Sequence, residues 1–257
     1  MSTKSIASRL AGATALLLAT AVAAQATIVT VFDGIAAGRD DFDDTVTDAG
    51  STVMNDVLTT LVPTGNSIDR GAYTITRNNG DALNIQSYGT LSGQAIGINP
   101  FTTGTGGSDP RTDPLDYFAS GVTFTFDSAV NAIGFEVGDW STCCQNPTTD
   151  LYISFDGGAP ILVASDSTGS GTRPSQADPM QLVYEIFVAA FDDSGSFTTV
   201  SFWGNGLGEY LVAGGDVRYA LLDEGTLEPA PIPLPAAGWM MLAGLGGLAA
   251  LRRRKTR

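Results

Sequence analysis

The stretch that decides the fold is Val122-Thr123-Phe124-Thr125-Phe126, followed by Ile133-Gly134-Phe135-Glu136-Val137-Gly138. Large apolar side chains fall on every second position, and small or polar ones lie between them. A period of two is that of an extended strand, since successive side chains point to opposite faces. The same pattern recurs further on. Leu151, Ile153 and Phe155 alternate with Tyr152 and Ser154, and Asp156-Gly157-Gly158 follows as a turn signal. Val200 and Phe202 alternate with Thr199 and Ser201, and Val217, Tyr219 and Leu221 form a last strand. Alternating runs separated by turns imply an antiparallel β-sandwich, each sheet packing one face inward and wetting its Thr/Ser/Gly face.

Upstream, Tyr73, Ile75 and Arg77 share one face of a strand, and Asn78-Asn79-Gly80-Asp81 makes a turn before Leu83 and Ile85. One helix is expected over Ala37–Ala49, where Phe42 and Val46 are four apart among acids. Thr52–Val62 suits a helix or a strand equally. Residues 99–117 and 165–180 read as long loops. No internal repeat interrupts the body, taken as residues 27–229.

Charge sharpens the organisation. The 257-residue chain carries 13 Lys+Arg against 27 Asp+Glu and no histidine, a net of −14. Between residues 27 and 231 lie all 27 acids but only six arginines and no lysine, a net of −21. Such a surface argues against nucleic acid, which needs cations to displace condensed counterions. Without histidine there is no Ser-His-Asp triad and no imidazole-built zinc site. No G-x-S-x-G elbow, H-E-x-x-H helix or phosphate-binding glycine loop is present either.

The remaining basic residues mark the two ends. Lys4 and Arg9 precede an apolar stretch from Leu10 to Val22, and Ala24-Gln25-Ala26 supplies a small-x-small cleavage pattern. Residues 1–26 therefore read as a secretory signal peptide cut after Ala26. Residues 230–257 contain Pro231-Ile232-Pro233-Leu234-Pro235-Ala236, an apolar run from Ala237 to Leu251, and five basic residues among the last six. The run's fifteen residues as a helix would span about 22 Å, somewhat short of a ~30 Å hydrocarbon core. The arginines would stay cytoplasmic and the acidic body outside.

This tripartite tail resembles the PEP-CTERM class of bacterial sorting signals, with Ile232, Pro233, Leu234, Pro235 and Ala236 similar to its VPLPA variant. Isoleucine replaces the usual valine at position 232. The resemblance implies processing by an exosortase-like enzyme in the bacterial membrane, with a transient membrane helix and delivery to the cell surface or extracellular matrix. The alternative is a permanent single-pass anchor. Val130–Phe135, Ile153–Gly158 and Phe197–Phe202 also resemble ectodomains of that class, which are similar to lectin-like jelly rolls. The fold expected is thus all-β, a jelly-roll-like sandwich with one short N-terminal helix, flanked by a signal peptide and a C-terminal transmembrane helix.

Within the body a few residues could carry chemistry. Cys143 and Cys144, the two cysteines, are adjacent; oxidised, they would form a strained vicinal disulfide acting as a turn lock or a stiff binding tip. Trp140 and Trp203 are candidates for stacking on carbohydrate, or for core anchors. No motif implies a cofactor, and calcium is the one ion the acidic loops could hold. Asp139, Asp192 and Asp193 are candidate ligands, while Asp40, Asp41, Asp43 and Asp44 read as a solvated helical face. Glu185, in the apolar run Leu182–Phe191, could pair with Glu136 or Glu209 as two catalytic carboxylates. The expectation is a non-enzymatic surface protein with a structural, adhesive or polysaccharide-binding role. The alternatives are a carbohydrate-active enzyme and a module binding calcium or a small ligand.

Overall fold

The computed structural model describes residues 27–98, 113–140, 149–166, 173–174, 182–183, 185–192, 194–204 and 211–227. Its elements are β1 (Ile28–Phe32), α1 (Ile35–Asp48), β2 (Met54–Val57), β3 (Ser67–Asp69), β4 (Tyr73–Arg77), β5 (Ile85–Ser87) and β6 (Gln94–Gly97). A 3-10 turn, Pro114–Ser120, leads into β7 (Val122–Val130), β8 (Ala132–Gly138), β9 (Thr149–Phe155) and β10 (Ile161–Asp166). Two short strands follow, β11 (Arg173–Pro174) and β12 (Leu182–Val183). The last three are β13 (Ile186–Phe191), β14 (Phe197–Gly204) and β15 (Val212–Ala220).

Two antiparallel sheets face one another. The first has seven strands in the order β1-β13-β8-β15-β6-β5, with β2 also paired to β15; the second has six, β10-β9-β14-β7-β4-β3. Strands β7, β8 and β9, and then β13, β14 and β15, step alternately between the sheets. The inward positions are the ones the period-two reading marks. Phe124 of the second sheet stacks on Phe135 of the first at 5.6 Å, and Phe135 meets Phe202 edge-on at 5.0 Å. Ile133, Val137, Ile153 and Val217 complete the same core. Between β9 and β10, Asp156 and Gly157 both take positive φ (48° and 69°), the backbone that a tight primed turn requires.

The helix runs over Ile35–Asp48, close to its expected span, and buries Gly38, Phe42 and Val46. The ambiguous Thr52–Val62 segment supplies β2, an edge strand beside β15. One expectation fails. The first sheet does not wet its outer face along β8, where every residue is buried, including Gly134, Glu136 and Gly138. Helix α1 lies across it, with Phe42 stacked on Phe191 at 5.1 Å and edge-on to Phe187 at 6.4 Å. Fully burying Phe42 and Val46 there stabilises the fold by about 1.5–3 kcal/mol each.

Among the described residues no helix is long and apolar enough to cross a membrane. The expected signal peptide, with Ala24 and Ala26, and the apolar run 237–251 lie outside the described residues.

The helix approaches the sheet most closely at Gly38, where an added Cβ would sit 2.6 Å from the Cβ of Phe187. Glycine to alanine inside a helix ordinarily stabilises by about 1 kcal/mol. Gly38→Ala is expected to do the opposite, costing about 1–3 kcal/mol through overpacking. Denaturant titration checks the sign, and a stabilised variant would disprove the close approach.

Candidate functional site

The segment linking β5 to β6, residues 88–93, is held down by three carboxylates. Glu136 projects from the outer face of β8 and is 0% exposed. Its Oε2 accepts from the Ser92 N–H at 2.6 Å. Arg39 of α1 places Nη1 3.5 Å from Glu136 Oε1 and 3.5 Å from Asp216 Oδ2, and donates to the Ser92 hydroxyl at 2.6 Å. Arg218 carries the network outward, donating to Asp43 at 2.6 Å and to Asp216 at 3.1 Å. Room for Glu136 comes from a register shift in β15 at Gly214. Next to it Gly215 has φ +66°, and a Cβ there would lie 2.2 Å from Glu136 Oε2.

Glu185, half-buried just before β13, accepts from the Thr90 N–H at 2.8 Å and from the Thr90 hydroxyl. Gly89 (φ +47°) makes this possible, since any side chain would strike the Glu185 carboxylate. Asp139, at the end of β8 with φ 54°, accepts from the Tyr88 hydroxyl at 3.0 Å. Tyr88, Thr90 and Ser92 are thus each fastened to a different acid.

The fastened segment separates two open clefts of about 510 Å³ each. One lies beside the first turn of α1 and is lined by Asp33, Arg39, Thr90 and Glu185 among others. The other lies between Thr59–Thr60 and residues 87–94, and its lining carries no charged side chain.

The structure rearranges the residues singled out in the sequence. Trp140 and Trp203 are both 0% exposed, which corrects their reading as carbohydrate contacts. Trp140 belongs to the main core; Trp203 packs edge-on against Phe118 at 5.0 Å and donates from Nε1 to the Pro114 carbonyl at 2.6 Å. An indole with its only donor satisfied internally is a core anchor. Asp139 and Asp192 do not meet. Strands β8 and β13 are antiparallel, with Val137 opposite Ile186 and Ala132 opposite Phe191. The two acids therefore lie at opposite ends, eight strand positions or about 27 Å apart at ~3.4 Å per residue. Asp192 accepts instead from Ser194 and from the Thr27 hydroxyl. Among the described residues no three acidic side chains converge as a metal site. Cys143, Cys144, Asp193, Glu209 and the motif Ile232, Pro233, Leu234, Pro235 and Ala236 lie outside the described residues.

Glu136 and Glu185 do lie at one segment, but as its fastenings. With Glu136 sealed beneath Arg39 and Ser92, no substrate oxygen reaches it in this arrangement. Sequence reasoning missed Arg39 and Asp216. Arg39 was legible as the one cation in an acidic helix; Asp216 gave no signal.

No family model matches the chain, and no curated protein is significantly similar to it. Among solved structures, the CBM32-1 and CBM32-2 domains from Clostridium perfringens ZmpB are similar with a TM-score of 0.24 and 12% identity. That likeness covers 77% of this chain and 42% of the other, so the chain spans less than half of that structure. So distant a likeness says nothing of what this chain binds.

Burial pushes the Glu136 carboxyl above its ordinary value, and the Ser92 donors and Arg39 only partly offset this. Unfolded, it titrates near about 4.3. Between that pH and the raised folded value the native chain holds the extra proton. This group's contribution to stability is therefore full at low pH and declines as pH rises through the window. Glu136→Gln keeps an acceptor for Ser92 but carries no titrating proton. Its stability relative to the parent is expected to improve from pH 4 towards neutrality, measured by urea unfolding at each pH. A difference that stays flat would mean the carboxylate pays no burial cost.

Proposed function

We propose that the chain is an exported bacterial surface protein whose β-sandwich serves a structural, adhesive or polysaccharide-binding role and whose tail is processed by an exosortase-like enzyme. The observation that carries this reading is the order of motif, apolar run and basic cluster over residues 231–257, behind a signal-like N-terminus. The body would be released from a transient membrane helix to the cell surface or extracellular matrix. The alternation of β7–β9 and of β13–β15 between its two sheets supports a jelly-roll-like reading of the sandwich.

Two features of the body support binding over hydrolysis. Glycoside hydrolysis needs two carboxyl groups on either side of a scissile bond, at about 5–10 Å. Here Glu136 is buried and Glu185 is engaged by Thr90. The open cleft between Thr59–Thr60 and residues 87–94 offers hydroxyls, an amide and backbone instead.

Deleting residues 231–257 is expected to release the body into the medium during expression in the native host, followed by immunoblot of cell and medium fractions. If the truncated chain stays with the cells to the same extent as the full chain, the tail is not what directs it.

A further inference from the structure

We propose that the uncharged cleft between Thr59–Thr60 and residues 87–94 is the binding site of a neutral polysaccharide. The proposal rests on the carbohydrate-binding half of the function proposed above and gives it a place and a ligand class.

The chain is pinned on both sides of the two threonines. Leu58 and Leu61 are buried in the main core. The Leu58 N–H donates to the Gly215 carbonyl at 2.8 Å, its carbonyl accepts from the Gln94 N–H at 2.6 Å, and the Leu61 N–H donates to Gln94 Oε1 at 2.8 Å. With both leucines drawn inward, Thr59 and Thr60 are pushed out to the rim. Thr60 takes φ 51° to do so. A β-branched residue at positive φ is a true outlier, and such strain is held where the surroundings over-determine it, often at ligand sites. Glycine would sit there without strain but would bring no hydroxyl.

The lining suits an uncharged polyol. The hydroxyls of Thr59, Thr60 and Ser87 are exposed and unengaged by other described residues. Gln94 has given its Oε1 to Leu61, which leaves its two amide hydrogens to donate. Tyr88 adds an aromatic ring, fixed by its hydroxyl to Asp139 and laid against Gly138. Rings that cover a sugar face, together with a few placed hydroxyls and amides, are how concave sites hold a polar ligand.

Charge selects among polysaccharides. The cleft offers no cation to a uronate or sulfate, while the body around it stands at −21. An anionic chain would meet repulsion without compensation, so the ligand is neutral. The other cleft, beside α1, presents Asp33, Arg39 and Glu185, and its Arg39 and Glu185 are already engaged with Ser92 and Thr90.

Affinity electrophoresis tests this on the full-length chain in a polyoxyethylene detergent, which carries no sugar. Gels contain dextran, galactomannan or alginate. The expected result is retardation by at least one neutral polymer and none by alginate, with Thr60→Gly and Ser87→Ala each weakening it at least fivefold. The thermal midpoint of Thr60→Gly should match or exceed the parent's, since glycine relieves the strained φ, so that lost retardation reports contact and not unfolding. Retardation by alginate, by none of the three, or undiminished in Thr60→Gly would overturn the assignment. Export and sorting are read separately from the tail deletion, so a released body without retardation sinks the cleft alone.

Discussion

The structure depends on the outer face of the first sheet being covered. A sandwich needs one buried face per sheet, but here β8 and β13 are buried on both. The second burial works only because helix and sheet come unusually close. Gly134 leaves space into which Phe187 and Phe42 project, and Gly38 lets the helix backbone ride over Phe187. Once α1 is seated, Arg39 is carried over Glu136 and Asp216. Once Arg39 is there, two carboxylates can be buried within one cationic reach. The segment 88–93 then closes over Glu136 through Ser92, and the two clefts exist on its flanks.

How far this was legible in the sequence follows from which interactions are local. Strands β7, β8, β9 and β14 were readable because inward and outward positions differ in size, and α1 because Phe42 and Val46 recur at helical spacing. Of β15 only Val217 and Tyr219 were legible, since Leu221 lies past its end and is 57% exposed. The outer face of β8 was misread for a physical reason. Gly134, Glu136 and Gly138 are small or polar, the composition of a wetted face, yet glycine is also what a close-packed helix requires. One sequence cannot separate the two without knowing what lies above. β13 (Ile186–Phe191) shows the converse. It is apolar at every position, so alternation is lost and only continuous hydrophobicity remains. Trp140 and Trp203 were ambiguous because a large ring fits both a core and a sugar platform, and only burial decides.

The site was less legible than the fold because its parts come from five separated elements. Glu136 lies on β8, Asp216 on β15, Arg39 on α1, and Thr60 and Ser92 in loops 32 residues apart. Nothing in the chain order places a buried acid beside the helix arginine. The strained φ of Thr60 is likewise set by two leucines bound to Gln94 and Gly215, contacts that no local pattern announces.

The charge distribution joins the body to its ends. Of the six body arginines, Arg39, Arg70 and Arg218 are spent on acids at the helix–sheet and strand seams. Arg70 grips Asp56 at 2.5 and 2.7 Å, where Tyr73 also donates at 2.8 Å. Arg77 turns inward to the Gly97 carbonyl at 2.6 Å. Among the described residues, Arg39, Arg70 and Arg218 thus face buried or half-buried carboxylates, and Arg77 is spent on a backbone carbonyl. With 27 acids against six arginines the body keeps a large net negative charge, which favours solubility and repels other polyanions. Exposed charges beyond about 8–10 Å are screened at physiological salt. The repulsion therefore acts at contact, at the rim of a cleft, and not as a long-range field. In the proposed role, that contact-range repulsion at the rim is what would favour an uncharged chain over an anionic one in the uncharged cleft.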